Sequence, residues 1–413
     1  MKWSIKKLLK NSNANQLDFF TMISITEQQN RLLLTLRKEI RQELRNGFSL
    51  IRHSMSKVGD NWHLKNEDIN EQLSVDITEK IKKLSPVAKS ALAVITPRFK
   101  TQGSFVYKTL NNPAHLPPQE IDLDDGVYLP MQIFEKSPII SKNLFFDIVD
   151  TILRKLAHKN RWTYVDTKDT CGRLLVGQNV HIDIPLYAIP MDKFLAISES
   201  KSLTAHSIKF EDASSRLNRD DVHLAVRSSE GWRKSDPATV HSWFLEQVSI
   251  HGEGLRQVSR YLKAWKDNQF KTGGPSSITL MACAVDVYNN QVTPFADDNA
   301  ALLACCLQLP LLLKEGVESP DPSDNDKLFP RNGANAEETD RIVNFAAQLA
   351  TKMSDALTVL ESKQDVHNKL IDIFGSRVAK CHCNLIESAK YNAVMSEPAE
   401  PQPQAEAENM TSG

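Results

Sequence analysis

No stretch of this 413-residue chain is both long and apolar enough to span a bilayer. The most apolar run, residues 300–313, is broken by Gln308 and Pro310. The start, MKWSIKKLLKNSNANQ, is basic but lacks the continuous apolar stretch of a secretion signal. Neither sign of charge prevails. Fifty Lys and Arg face 51 Asp and Glu, and this balance argues against a protein that coats long nucleic acids. A local basic groove still fits within it. Cysteine is scarce, and the six present have no disulfide-framework spacing, which fits a reducing cytosol. Cys381-His382-Cys383 offers three cramped ligands with no second pair nearby, so packing on a helix face is a better reading than zinc. There is no internal repeat. These absences leave a soluble cytoplasmic chain of two to three domains, with 41% hydrophobic residues to fill its cores.

Hydrophobic periodicity divides the chain. Residues 25–51 carry Leu32, Leu33, Leu36, Ile40 and Leu44 at helical spacing, and 72–95 repeat the pattern. A strand is expected at 121–128, a helix at 141–158, and short strands at 162–166, 173–176 and 180–184. The helix expected at 253–270 has an apolar stripe of Leu255, Val258, Leu262 and Trp265. Arg256, Arg260 and Lys263 lie along another face. Gly273-Gly274-Pro275-Ser276-Ser277 breaks the chain before a helix at 278–289. A polar loop at 314–335 precedes helices near 337–361 and 364–390. The result is an α+β chain, a mixed sheet with packed helices followed by a helical half. The expected divisions are an N-terminal helical region at 1–95, a core at 96–230, a helical domain at 231–392 and a disordered acidic tail at 393–413.

The chemistry gathers around Gln102-Gly103-Ser104 and Glu120-Ile121-Asp122-Leu123-Asp124-Asp125. Gly-Ser allows close backbone approach to a phosphate. A helix beginning at 105–110 would set Ser104 at an anion-binding N-terminus. Asp-x-Asp on a strand points both carboxylates to one side, and Asp125 to the other. Alone the acidic run reads as a solvated strand end. It fails as an EF-hand, having no later Glu and no flanking helices. Asp183, in the alternating His181-Ile182-Asp183-Ile184, supplies a third strand carboxylate, with His181 as a structural neighbour. A phosphate grip beside three carboxylates is what two-metal nucleotidyl transfer requires. Tyr107 could stack a base or sit in the core. Lys263 suits a triphosphate, although a lone Lys usually lies on a solvated helix face. Ser277 reads as an N-cap that can also hold phosphate. Asp324 alone is only a loop residue.

TPRFKTQGSFVYKTLN, PPQEIDLDDGVYLPMQIFE, TCGRLLVG, HIDIPLYAIP, RYLKAWKD with GGPSSI, and GVESPD together resemble the bacterial cGAS/DncV-like nucleotidyltransferases of the polymerase-β-like superfamily. The resemblance runs from about residue 30 to about residue 390. It implies a polymerase-β-like nucleotidyltransferase core plus a C-terminal helical domain. It also implies two Mg2+ ions on catalytic Asp122, Asp124 and Asp183. Gln102, Gly103, Ser104, Tyr107, Lys263, Ser277 and Asp324 would line nucleotide pockets, and Arg173 would meet the other nucleotide. The implied reaction joins ATP and GTP into 3′,3′-cyclic GMP–AMP, a second messenger in anti-phage defence read by an effector protein. The insert NNPAHLPPQ lengthens the gap between Ser104 and Asp122 beyond the usual superfamily spacing. No clear zinc-ribbon insertion is present, which argues against DNA activation. The tail ending in Gly413 resembles those conjugated by ubiquitin-transfer-like E1–E2 proteins. The rival readings are a template-independent RNA nucleotidyltransferase and a non-catalytic scaffold. Near-zero net charge disfavours the first, and intact carboxylates disfavour the second.

Overall fold

The computed structural model describes residues 1–13, 15–59, 61–131, 138–177, 179–192, 194, 222–229, 232–234, 237–321 and 326–389. Its first elements are β1 (Trp3–Ser4), α1 (Lys6–Leu9) and α2 (Phe19–Ile23). The 28-residue α3 (Glu27–Ser54) starts at a capping box in which Thr26 and Gln29 satisfy each other's backbone N–H. Leu33, Leu36, Ile40, Leu44 and Phe48 form its buried stripe, whereas Leu32 faces solvent. A hairpin of β2 (Met55–Val58) and β3 (Asn61–Leu64) follows, where no strand was expected. Next come α4 (Asn66–Gln72), α5 (Val75–Lys82) and α6 (Pro86–Val94), so 72–95 holds two capped helices separated by Ser85.

β4 (Arg98–Gln102) leads into α7 (Gly103–Val106), a single turn. The helix expected over 105–110 does not extend, because Lys108 turns to φ 57°. β5 (Ile121–Pro130), α8 (Pro138–Asn160), β6 (Thr163–Val165), β7 (Cys171–Val176), β8 (Val180–Ile189), β9 (His223–Ala225) and β10 (Trp232–Lys234) complete this half. The seven-stranded mixed sheet runs β10-β9-β8-β5-β4, with β7 also paired to β8 and β6 to β7. Among the described residues only β5 and β8 pair in parallel. Ile121, Leu123, Val127 and Leu129 of β5, with Ile182, Ile184 and Leu186 of β8, face the core that also holds α3 and α8. Asp125 shares that buried face, as expected. Arg41 of α3 pairs with both its oxygens, at 2.5 and 2.7 Å, and Thr101 donates at 2.9 Å.

The second half contains α9 (Pro237–His251), α10 (Glu253–Gln269), α11 (Ser277–Asn289), α12 (Asp298–Glu315), α13 (Ala336–Thr358), α14 (Lys363–Phe374), α15 (Ser376–Ala379) and β11 (Glu387–Ser388). The helix expected over 364–390 stops at Gly375, whose φ of 79° ends it. Cys381-His382-Cys383 therefore lies beyond α15, where His382 caps a short 3-10 helix (Cys383–Leu385), and not on the face of the expected helix. There His382 Nδ1 accepts from the Asn384 N–H at 3.2 Å, and Cys381 Sγ contacts the Arg377 carbonyl. The helices enclose a second core. Trp3, Ile5, Leu8, Leu9, Phe19 and Ile23 belong to it, and β1 pairs with β11. The 1–95 region is thus divided between the two cores. Among the described residues no helix is long and apolar enough to cross a membrane.

The segment 107–119 straps the two cores together, and the basic face of α10 grips it through its carbonyls. Arg256 Nε donates to Tyr107 O at 3.0 Å, and Lys263 Nζ to Thr109 O at 2.6 Å. Arg260 Nε and Asn111 Oδ1 meet at 2.9 Å. Gln119 Nε2 returns two bonds to Asp267 O and Phe270 O at the end of α10. Arg256, Arg260 and Lys263 are all buried, so that face is a joint and not a solvated surface.

Candidate active site

The register of β5 and β8 assembles the site. Asp122 lies opposite His181, and Asp124 opposite Asp183. With side chains alternating along each strand, the four share the face away from the first core. Asp124 has a pKa well above the carboxylate range, from burial first and then from Asp122 and Asp183, with Arg173 opposing. Arg173 on β7 lies beside Asp183 in the next register and clamps it with two bonds of 2.6 Å. That bidentate fork holds the guanidinium pKa above its usual value despite burial.

His181 was expected to be a bystander, but it stands between two acids. Its Nδ1 is 3.0 Å from Glu120 Oε2, and its Nε2 is 2.7 Å from Asp122 Oδ1. The latter pair is out of line for a hydrogen bond, so both buried atoms remain unsatisfied. Burial opposes charge on the ring, but the Asp122 contact outweighs it and raises the pKa above normal. Ligand atoms of Asp122, His181 and Asp183 lie within 4.8 Å of one another, the grouping among the described residues that could hold a metal ion. An unsatisfied buried carboxylate oxygen beside mutually repelling acids fits a divalent cation. In the sequence the signal for His181 was the match of Asp122-x-Asp124 to His181-x-Asp183, which has meaning only once the two strands pair in parallel.

Gly103 packs directly on these acids. Its φ is +70°, and a β-carbon there would collide with Asp124 Oδ2. Ser104 lines an open cleft of about 620 Å³ that also meets Asp122, Arg173, Lys263, Lys266 and Ser277. Its lining mixes both signs: Glu120 and Asp122 with Arg173 on the sheet side, and Lys263 and Lys266 with Asp267 on α10, a wall that is basic on balance. Burial lowers the Lys263 pKa to about 8. Ser277 does not cap α11. Ser276 does, accepting from the Thr279 N–H at 3.1 Å, which leaves the Ser277 hydroxyl to the cleft. Gln102 lies beside Asp124 in the β4–β5 register and donates to Tyr187 Oη at 3.0 Å. Tyr107 is not among the cleft-lining residues. Its ring stacks on His241 of α9 at 5.8 Å and tilts against Phe244. Asp324 and Gly413 lie outside the described residues.

Residues 97–187 match the nucleotidyltransferase domain of cyclic GMP-AMP synthase DncV-like proteins, and 252–387 match the cyclic GMP-AMP synthase C-terminal domain. Cyclic GMP-AMP synthase from Vibrio cholerae serotype O1 is 32% identical over 416 residues, covering 94% of each chain. The chain belongs to the DncV-like nucleotidyltransferase family. Cyclic GMP-AMP synthase of Escherichia coli strain TW11681 is 31% identical, covering 98% of this chain and 99% of its own. The V. cholerae di-nucleotide cyclase (DncV) in complex with GTP and 5MTHFGLU2 has a TM-score of 0.83 at 32% identity, covering 94% of this chain and 100% of that one. DncV with the linear intermediate 5′ pppA(3′,5′)pG has a TM-score of 0.76 at 31% identity, with coverage of 94% and 99%. The expected polymerase-β-like core with a helical second half is this family's fold, and the chain is a nucleotidyltransferase.

Proposed function

We propose that this chain joins ATP and GTP into 3′,3′-cyclic GMP–AMP by two successive nucleotidyl transfers in one cleft. The observation that carries the reading is the β5–β8 register, which sets Asp122, Asp124 and Asp183 on one face beside the Gly103-Ser104 turn. Asp122, Asp124 and Asp183 would hold two magnesium ions. Bound there, the ions would supply Lewis acidity toward the attacking 3′-hydroxyl, the α-phosphate and the leaving pyrophosphate.

The protein's own groups do the rest. Asp183 orients the 3′-hydroxyl proton. Ser104 from the turn after β4, with Ser277 and the Lys263 ammonium from the basic wall, holds the donor triphosphate. Arg173 lies directly opposite Asp183 on the neighbouring strand and takes a phosphate or base of the second nucleotide when it leaves that carboxylate. The linear product must reverse so that its remaining triphosphate meets the same wall. The packing of Tyr107 on His241 gives no support to the base-stacking role expected of it. Signalling through an effector protein in phage defence belongs to the same proposal.

Purified protein with magnesium and all four NTPs, beside an Asp122→Asn/Asp124→Asn variant, tests the reaction. A phosphatase-resistant product with the mass of cyclic GMP–AMP, made only by the wild type, is the expected result. Product from the double variant would remove the carboxylate assignment. An extended RNA ladder in place of a cyclic product would favour a polymerase.

A further inference from the structure

His181 has a feature that a bystander does not require. A carboxylate is purely an acceptor, so the 3.0 Å contact with Glu120 Oε2 places a proton on Nδ1. In the neutral ring the lone pair is then on Nε2, which faces Asp122 Oδ1 at 2.7 Å. Two acceptors at that distance repel unless a proton or a cation lies between them. The pair is not aligned for a hydrogen bond, and both atoms are buried and unsatisfied. Two donors at about 2.1 Å from one ion and about 90° apart lie roughly 3 Å from each other, close to this separation. A carboxylate oxygen of Asp183 falls within 4.8 Å of both, within reach of a further coordination corner. Glu120, His181 and an ion would then form a carboxylate–histidine–metal line, in which the outer acid fixes the tautomer and strengthens the nitrogen donor.

Resting on the nucleotidyl-transfer reading, we infer that His181 Nε2 is a direct ligand of the metal at Asp122 and Asp183. Glu120 is its outer partner, and the nitrogen donor shifts the site's preference from magnesium toward first-row divalent cations such as Mn2+ and Co2+. Magnesium is a hard ion that takes oxygen donors and keeps its waters, whereas affinity for imidazole rises along the first transition row.

The test uses the full chain with substoichiometric Mn2+ and no nucleotide. Electron spin-echo modulation reads directly whether nitrogen touches the ion. Wild-type protein is expected to show 14N coupling that changes to the 15N pattern when only histidine is 15N-labelled. His181→Gln should lose the coupling and bind Mn2+ about 10–100-fold more weakly, with the Mg2+ constant, measured by competition, moving less than about threefold. Glu120→Gln should keep the coupling but weaken Mn2+ by about tenfold. Bound Mn2+ without nitrogen coupling overturns the ligation and leaves the carboxylate reading intact. An equal fall in Mn2+ and Mg2+ affinity in His181→Gln would reduce His181 to a positioning residue and overturn the preference. Failure of the wild type to bind Mn2+ at all would overturn both this inference and the metal assignment beneath it. If His181→Gln does not fold, the labelled wild-type spectrum decides alone.

Discussion

Gly103→Ala places one methyl group where the structure has no room for it. Two costs arise. The residue sits at φ +70°, a region that disfavours a side chain by roughly 1–2 kcal/mol. The new β-carbon also meets Asp124 Oδ2 far inside contact distance, so the carboxylate must retreat by roughly 1 Å, a displacement that can cost about 100-fold in rate. The first cost is small against a typical folding stability of about 5–15 kcal/mol, so the variant should fold. Urea denaturation followed by tryptophan fluorescence should show a loss of about 2 kcal/mol. Pyrophosphate release with ATP, GTP and magnesium should fall about 100-fold. The reasoning assigns the stability loss to the backbone and the rate loss to Asp124. A folded variant with turnover within about threefold of wild type would refute the claim that Gly103 sets the carboxylate's place.

Three further expectations can be checked. Lys263 has a folded pKa near 8 against an ordinary value of 10.5, so between these the unfolded chain binds more protons and stability should rise with pH. Over the same interval the ammonium is lost, so KM for nucleotide should climb above pH 8. Steady-state kinetics at pH 7–10 should show this climb in the wild type and not in Lys263→Arg. Ser276→Ala should lose about 1 kcal/mol in denaturation with KM unchanged, and Ser277→Ala the reverse, because only the former caps α11. Arg173→Gln removes the two bonds that compete for Asp183, so nucleotide-free Mn2+ titration should show about tenfold tighter binding, the worth of roughly 1.5 kcal/mol. Unchanged affinity would mean that the ion does not use Asp183.

The three carboxylates were legible because alternation along a strand is a local rule, and Asp122-x-Asp124 states it within three residues. Asp125 was correctly turned away for the same reason. What local rules could not supply is strand register. Only the pairing of β5 with β8 sets His181 against Asp122, so its placement escaped notice. The Ser276 cap was missed by one residue, since two adjacent serines offer the same local signal and backbone geometry chooses between them. The β2–β3 hairpin has little apolar alternation, and only Met55 among the residues of its two strands is fully buried. The burial of Arg256 and Lys263 was not legible because their partners are the backbone carbonyls of Tyr107 and Thr109, which carry no residue signature.

The assignment of residues 3–23 to the second core has a consequence for biosynthesis. Trp3 and Ser4 pair with Ser388 and Glu387, so β1 must await β11, which lies about 380 residues further along the chain. At roughly 5–20 residues per second, that wait is about 20–80 s on the ribosome. Through it Ile5, Leu8, Leu9, Phe19 and Ile23 lack the apolar surface that finally covers them. The carboxylate-bearing sheet can form early, but α10, which bears Lys263, cannot settle into its core until the helices that follow it are made. A nascent chain would thus hold the acids before the completed basic wall, a built-in delay against messenger synthesis by unfinished molecules.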